Sequence, residues 1–387
     1  MEPMLRFKAD DGSDFPDWEE MTLGELFYIS AGGDIDKNNC AVKQSKDYPY
    51  PIYANALVNG GLYGYTNYYK IDGDTFTVTG RGDVGHAVAR HCKYVPIVRL
   101  LVCRPNMDDD VDFFAEQINY TRIFTESTGV PQLTAPQLSK TKVKRPSLPE
   151  QRKIADLLSA VDDVIAAQEA EVAAWEKRKK GVMQKLFSSE VRFKADDGSD
   201  FPDWEEKTLG EICEQLKASI DPRNNPTKQF IEYSMPAYDN HMAAQAVLGQ
   251  SMNSARKILS APCVLINKLN VRKRRIWVVE HPEDNAVCSS EFVPLTSAEF
   301  DLRFLGYLAM TDSFTGYLLD CSSGSSNSQK RVTPDTILQY LVSLPSLPEQ
   351  RKIADCLTTL DDVIAKAKDE LDAWRELKKG LLQQMFV

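Results

Sequence analysis

The 387 residues are 43% hydrophobic and 26% charged, enough apolar material for the cores of two ordinary domains. No apolar run approaches the roughly 18 residues that a membrane span needs, and the first residues lack the apolar stretch of a secretory signal. The sequence therefore predicts a cytoplasmic protein. The eight cysteines are dispersed without a C-x-x-C pair, and only four histidines accompany them. This spacing predicts reduced thiols and no metal site.

The net charge of −10 conceals an uneven distribution. Residues 27–145 carry 14 basic and 12 acidic groups, and residues 213–344 carry 13 of each. The acidic excess therefore lies outside these two segments. Because local charge decides where a polyanion binds, both segments remain compatible with DNA.

The chain is internally duplicated. The segment LRFKADDGSDFPDWEEMTLGEL at 5–26 returns at 191–212 with three differences, and the segment that begins PSLPEQRKIAD at Pro146 returns at Pro345. The two inserts between these repeats, 27–145 and 213–344, show no similarity that we can align. A duplicated frame that holds two unlike inserts suits recognition of an asymmetric target in two pieces.

In the first insert, aromatic residues alternate with Asn and Gly before the loop Gly80-Arg81-Gly82-Asp83-Val84-Gly85. The loop spells G-x-G-x-x-G, but the residues after it read as strands, which argues against a dinucleotide site. Arg81 is the first candidate for DNA contact, since a guanidinium forks onto phosphate or guanine. A structural hairpin with an exposed arginine is the alternative. The further candidates, of types that read bases or populate turns, are Asn55, Tyr65 and Asn67.

The repeats that begin at Pro146 and Pro345 predict long helices. Their apolar residues step by four and three, which is typical of a coiled coil. The predicted interface residues are Ile154, Leu158, Val161, Ile165 and Trp175, with Ile353, Leu357, Leu360, Ile364 and Trp374 in the second copy. Duplication favours an antiparallel pair within the chain. About 37 helical residues would span about 55 Å, roughly 16 base pairs, and so act as a ruler. A generic dimerising coiled coil is the alternative.

In the second insert, an apolar strand leads into a basic loop. Its candidates for DNA contact are Lys268, Asn270, Arg272, Lys273, Arg274 and Arg275. Four consecutive cations repel one another, which favours phosphate contact over a solvated turn. The polar loop 322–331 ends in Lys330 and Arg331, and either wraps a DNA backbone or is flexible.

The alternation of insert and P-S-L-P-E-Q-R-K-I-A helix resembles specificity subunits of type I restriction-modification systems over nearly the whole chain. The W-x-x-x-x-L-G-E-[IL] stretches at 18–26 and 204–212 and the L-P-E-Q stretches at 148–151 and 347–350 carry the resemblance. The G-R-G-D-V-G loop and the L-I-N-K-L-N turn at 265–270 are also similar to family turns. The acidic segment that precedes each insert departs from the simplest family pattern. It either faces modification subunits or is a solvated linker.

The resemblance implies an α+β fold: two target recognition domains with mixed α/β structure and a twisted sheet, separated by two long antiparallel coiled-coil helices with pseudo-two-fold symmetry. The expected domains are 1–145, with a variable core at 27–145, and 190–344, with a variable core at 213–344. The expected helices are 146–189 and 345–387.

The resemblance also implies partners. They are double-stranded DNA, two modification subunits that methylate adenine, and ATP-driven restriction subunits, with no membrane. S-adenosylmethionine and ATP would bind those subunits and no cofactor would bind this chain. No N-P-P-Y-like motif, P-loop or nuclease-like cluster is present in the sequence, so no catalytic residue is predicted. A stand-alone DNA-binding regulator and a coiled-coil scaffold are the alternatives.

Overall fold

The computed structural model describes residues 3–121, 132–324 and 329–386. The chain forms two compact units. The first contains Met1–Ala170 and Lys368–Val387, and the second contains Glu171–Ala367. Each unit therefore combines one insert with the first half of one long helix and the second half of the other. The linear boundaries expected from the sequence assign each long helix to a segment of its own, whereas packing divides it.

The first unit is built from short strands. Its strands within the described residues are β1 (Glu19–Thr22), β2 (Phe27–Ala31), β3 (Cys40–Ala41), β4 (Tyr50–Tyr53), β5 (Leu62–Thr66), β6 (Thr75–Val78), β7 (Ala87–Arg90), β8 (Val95–Pro96), β9 (Leu101–Pro105) and β10 (Lys142–Arg145). The helices that begin in it are α1 (Leu23–Leu26), α2 (Val111–Thr121), α3 (Ala135–Ser139) and α4 (Leu148–Phe187).

The strands of the first unit form two four-stranded sheets and a separate pair. One sheet has the order β2-β9-β6-β7, the other β3-β5-β4-β8, and β1 pairs with β10. All four residues of β6 are buried, as expected for an inner strand covered on both faces. The aromatic ring of Phe27 meets the rings of Phe76 and Phe114 edge to face at centroid distances of 4.9 and 5.0 Å. These contacts fasten α2 to the first sheet.

The second unit repeats this plan with different sequences. Its strands are β11 (Glu205–Thr208), β12 (Glu214–Gln215), β13 (Ser219–Ile220), β14 (Gln229–Tyr233), β15 (Gln245–Leu248), β16 (Arg256–Ile258), β17 (Cys263–Asn267), β18 (Ile276–Val279), β19 (Ala286–Ser289), β20 (Phe292–Thr296) and β21 (Leu341–Leu344). Its helices are α5 (Leu209–Ile212), α6 (Met235–Asp239), α7 (Leu302–Ala309), α8 (Asp312–Asp320), α9 (Pro334–Leu338) and α10 (Leu347–Met385), which continues into the first unit.

The sheet orders make the two units comparable strand by strand. The order β12-β20-β17-β18 matches β2-β9-β6-β7, and β11 pairs with β21 as β1 pairs with β10. The other sheet has five strands, β13-β16-β19-β14-β15, instead of four. The hairpin loop between β17 and β18 therefore corresponds to the loop between β6 and β7.

The duplicated N-terminal segment is fastened to the start of a long helix by a buried carboxylate. In the first unit, Arg6 donates to both oxygens of Glu150 at 3.0 and 2.9 Å, and the Trp18 indole donates to the same carboxylate at 3.1 Å. In the second unit, Arg192 and Trp204 bind Glu349 in the same way at 3.1, 2.9 and 3.1 Å. Both carboxylates are fully buried. The segment between Arg6 and Trp18 is thus anchored to the long helix at both of its ends, as is its repeat between Arg192 and Trp204.

The glutamine that follows each carboxylate ties the helix to its domain. Gln151 accepts a hydrogen bond from the backbone N–H of Asp110 at 2.8 Å, just before α2. Gln350 accepts one from Asp301 at 2.9 Å, just before α7. Two residues of the L-P-E-Q signature therefore have a structural role: the glutamate holds the N-terminal segment, and the glutamine holds the start of α2 in the first unit and of α7 in the second.

Inside each unit, the two helix halves run antiparallel. In the first, Lys378 reaches Asp162 at 2.7 Å and Arg375 reaches Glu169 at 2.6 Å, so numbers rise along α10 as they fall along α4. In the second, Lys179 reaches Asp361 at 2.5 Å. Lys179 and Lys378, which occupy corresponding positions of the two repeats, therefore each meet an acid on the opposing helix. Such a polar pair specifies register more than it adds stability.

The predicted interface residues divide into two groups. Six are buried: Ile154, Leu158, Val161, Ile353, Leu357 and Ile364. Four are partly buried: Ile165, Trp175, Leu360 and Trp374. Ile154 and Leu158 join the core of the first recognition domain, and Ile353 and Leu357 that of the second. The first turns of each helix therefore complete a domain core in addition to forming the helix pair.

Candidate nucleic-acid interface

The loop between β6 and β7 is shaped by glycine and by a buried threonine. Gly82 and Gly85 have φ of +78° and +89°, which residues with a side chain rarely adopt. The backbone N–H of His86 donates to the Thr79 hydroxyl at 2.9 Å, and that hydroxyl donates to the Asp83 carbonyl. Arg81 lies in this closed turn. Its side chain is exposed and forms no hydrogen bond or ion pair with any described residue.

The base of this loop is held by two other segments. The Leu133 N–H donates to the Gly80 carbonyl at 2.9 Å, and Arg81 forms an isolated β-bridge with Gln132. The Asn55 side chain accepts from the Gly80 N–H at 2.7 Å and donates to the Val98 carbonyl at 2.5 Å. Both ends of the Asn55 amide are thus engaged inside the domain.

Tyr65 and Asn67 lie elsewhere in the first domain. Tyr65 is on β5, in the other four-stranded sheet, and is partly buried at a cavity of about 390 Å³ lined also by Tyr50, Tyr53 and Lys93. Asn67 is exposed and donates to the side chain of Asn39 at 3.4 Å. No hydrogen bond among the described residues joins either side chain to the Arg81 loop. The structure thus brings only Asn55 of these candidates to that loop.

In the second domain, the basic loop is paired with the segment that ends the polar loop. The Asn270 N–H donates to the Lys330 carbonyl at 2.8 Å, and the Val332 N–H donates to the Lys268 carbonyl at 3.0 Å. Arg331 also binds Glu291 at 2.7 Å. The backbones of the four candidates Lys268, Asn270, Lys330 and Arg331 are therefore neighbours. Residues 325–328 of the polar loop lie outside the described residues.

The four consecutive cations do not form one charged cluster. Arg275 is 8% exposed and grips Asp239 with two hydrogen bonds of 2.8 and 2.6 Å, which raise the pKa of the guanidinium. Arg274 donates to the Met310 carbonyl at 2.8 Å and to Asp312 at 2.5 Å. Arg272 and Lys273 are exposed. The argument from mutual repulsion therefore does not hold for Arg274 and Arg275, because each has an acidic partner within the domain.

The same backbone junction occurs in both domains. Arg81 pairs with Gln132 ahead of α3, and Leu269 pairs with Arg331 ahead of α9. Leu269 lies between Lys268 and Asn270. Corresponding positions of the two loops are thus occupied or flanked by the candidates Arg81, Lys268, Asn270 and Arg331, although the two inserts have unlike sequences.

One cation near this junction was missed by sequence reasoning. Lys257, on β16, is partly buried, and its pKa is lowered by burial and by the positive charge of Lys268. No motif marks Lys257 in the sequence, because β16 and β17 belong to different sheets and only the fold brings Lys257 and Lys268 near each other.

Two kinds of feature are absent from the described residues. No group of three or more His, Cys, Asp or Glu side chains among them could hold a metal ion. Within the same residues, no helix is long and apolar enough to cross a membrane.

Comparison with known protein families identifies the chain. The family model described as "Type I restriction modification DNA specificity domain" matches twice, at residues 16–174 and 202–373. The chain belongs to this family. The two matches coincide with the two halves of the duplication, and together they cover most of the sequence. The function of this specificity subunit is to provide DNA sequence specificity within a restriction-modification complex, a recognition role and not a catalytic one.

Relatives and solved structures agree over most of the chain. The type I restriction enzyme MjaVIII specificity subunit of Methanocaldococcus jannaschii is 23% identical over 306 residues, which is 72% of this chain and 70% of the relative. The crystal structure of a type I restriction-modification S subunit from M. genitalium aligns with a TM-score of 0.63 at 15% identity, covering 100% of this chain and 99% of that one.

A chain from a structural study of complex assembly and conformational transition in a type I restriction-modification system gives a TM-score of 0.56 at 16% identity, covering 96% of this chain and 98% of that one. These comparisons confirm the family and the fold class predicted from the sequence, with two recognition domains and two long antiparallel coiled-coil helices. The predicted DNA-contacting residues stay predictions.

Proposed function

We propose that this specificity subunit reads a bipartite, asymmetric DNA site, with one half-site for each recognition domain. The observation that carries the proposal is the shared junction: two inserts without alignable sequence each contain a four-stranded sheet of the same strand order and carry cations at the same hairpin loop of that sheet. A shared frame with unlike loops would give each domain its own base sequence. An asymmetric site follows, because the two loops differ.

Contacts in the first half-site are assigned to Arg81. Its guanidinium is exposed and has no partner among the described residues, so binding to phosphate or guanine would break no internal ion pair. Tyr65 and Asn67 stay outer candidates, farther along the fold. In the second half-site, the proposed contacts are Lys268, Asn270, Arg272, Lys273, Lys330 and Arg331. Arg274 and Arg275 are proposed to shape the loop that presents them.

Catalysis is proposed to lie on partners. Two modification subunits would flip and methylate an adenine in each half-site, and restriction subunits would use the same recognition to direct cleavage. S-adenosylmethionine and ATP would bind those subunits and not this chain. The specificity subunit would contribute only the choice of site.

The test is to co-express the chain with the type I methyltransferase subunit of its host and to map methylated adenines across that host's DNA by single-molecule sequencing. A split, asymmetric motif is the expected result. Replacing residues 213–344 with the corresponding insert of another specificity subunit should change one half of the motif and leave the other intact. A complex that forms but methylates no defined motif would contradict the proposal and favour a scaffold. A palindromic motif would contradict the assignment of one half-site to each domain.

A further inference from the structure

We infer that Asn55 is a positioning residue for Arg81, and that it determines specificity in the first half-site without contacting DNA. The inference rests on the proposed function. It gives Asn55 a role other than base reading, which is the role that its residue type predicts. Its basis is the position of the amide, which joins three chain segments beneath the loop.

The first step concerns Gly80, the residue before Arg81. It is buried, its N–H is bound by Asn55, and its carbonyl is bound by Leu133. A Cβ at Gly80 would lie 2.5 Å from the Arg99 carbonyl oxygen and 2.9 Å from that of Leu133. The backbone at this point is thus confined on several sides, so the direction in which the chain enters Arg81 depends on these contacts.

The second step concerns the group that the position requires. The segment at Val98 offers a carbonyl and Gly80 offers an N–H, so the bridging side chain must accept at one atom and donate at the other. An amide does both from one planar group. Aspartate of the same size lacks the donor, and alanine lacks both functions.

The orientation of the Asn55 amide distinguishes positioning of Arg81 from direct recognition of a base. Asparagine recognises adenine by presenting its amide oxygen and nitrogen together to the base edge. In Asn55 both atoms face the protein, at 2.7 Å from the Gly80 nitrogen and 2.5 Å from the Val98 oxygen. An Asn55 that turned to DNA would give up both of its hydrogen bonds at the base of the Arg81 loop. The geometry therefore favours an effect through Arg81.

The second domain provides an internal control. There the loop is held locally: Asn267, which is buried, donates to the Leu269 carbonyl at 2.5 Å and accepts from the Leu269 N–H at 3.2 Å. Asn55 lies in the other unit. Its replacement should leave recognition of the second half-site unchanged.

The test is a double-mutant cycle with Asn55→Ala and Arg81→Ala in the full chain bound to its methyltransferase. The probes are duplexes that carry the mapped motif, or that motif with one base pair changed in either half-site. We expect each single variant to reduce discrimination in the first half-site about tenfold, and the double variant to lose no more than about twofold beyond Arg81→Ala. Discrimination in the second half-site should be retained in all three.

Two results would overturn the inference. Independent, multiplying losses would mean that Asn55 acts on DNA or on the fold by itself. An Arg81→Ala variant that discriminates normally would also overturn it, whereas the mapped motif would still decide the proposed function. Should Asn55→Ala fail to fold, Asn55→Ser supplies a small polar replacement for the same cycle. An unchanged thermal unfolding midpoint in the variant used would show that the loss is one of positioning.

Discussion

The corresponding loops of the two recognition domains differ in the number of their cations and in how those cations are paired. The loop of the first carries a single arginine, Arg81, that no described residue neutralises. The loop of the second contains Arg272, Lys273, Arg274 and Arg275, but the last two are held by Asp312 and Asp239. A count of cations in sequence is therefore not a count of DNA contacts. The burial of each cation and its internal partners have to be considered as well.

Both units share the hydrogen bonds that an arginine and a tryptophan make to a buried glutamate, Glu150 or Glu349. Loss of these contacts should have the largest effect. Glu150→Ala removes the buried carboxylate that accepts hydrogen bonds from Arg6 and Trp18. We expect a loss of about 3 kcal/mol in the free energy of unfolding of the first unit, since breaking a buried ion pair is strongly destabilising. Glu349→Ala should cost the second unit about the same, because the distances agree. Urea unfolding of the full chain measures both, with Glu280→Ala, at an exposed position, as control. Markedly unequal losses would show that Glu150 and Glu349 do not contribute equally to the stability of their units.

The internal arginine of the second loop should affect folding more than binding. Arg275→Ala removes both hydrogen bonds to Asp239, and we expect about 2 kcal/mol of destabilisation of the second domain. Arg272→Ala should leave stability unchanged. It should weaken DNA binding and reduce the slope of log K against log salt by about 1. Chemical unfolding and binding titrations at several salt concentrations separate the two. If Arg275→Ala left stability intact, the pairing with Asp239 would not be structural.

The solitary arginine of the first loop allows a smaller, sharper test. Arg81→Lys keeps the charge but loses the planar fork. If Arg81 reads a guanine, discrimination at one position of the first half-site should fall by about 1–2 kcal/mol while the salt dependence stays the same. If it contacts only phosphate, Arg81→Ala should lower affinity for all sequences equally. Competition between duplexes that differ at single base pairs distinguishes these outcomes.

A titratable bridge in the first unit predicts the smallest effect. His91 lies between Asp74 and Asp112, 3.0 Å from an oxygen of each, and although burial opposes the charge, the two carboxylates raise its pKa. A raised folded-state pKa stabilises the fold below the unfolded value of about 6.5, and this contribution is lost as pH rises through the folded value. The melting temperature of the first unit should therefore fall slightly from pH 6 to pH 8. His91→Gln should remove that slope, and a slope that persists would assign it to another group.

The two domains and the two long helices could be predicted from the sequence, whereas the side-chain contacts of the candidate site could not. Duplication and apolar spacing predicted the two domains and the two helices, because repeats and heptads are local signals. The partners of Arg274 and Arg275 lie 38 and 36 residues away along the chain, and the partners of Asn55 lie 25 and 43 residues away. Such contacts depend on how strands pair in unlike sheets, for which these short segments carry no signature.

The C-terminal end of α10 limits when the first domain can complete its fold. Phe386 and Met385, the last residues described, belong to the core of the first domain, where Phe386 meets Phe113 at a centroid distance of 5.4 Å. The first domain thus takes core residues from a helix that is synthesised after the whole second insert. On the ribosome, where N-terminal domains usually fold first, this domain cannot complete its core until the end of α10 has been made. Loss of the C-terminal part of α10 would therefore leave the first domain incompletely folded.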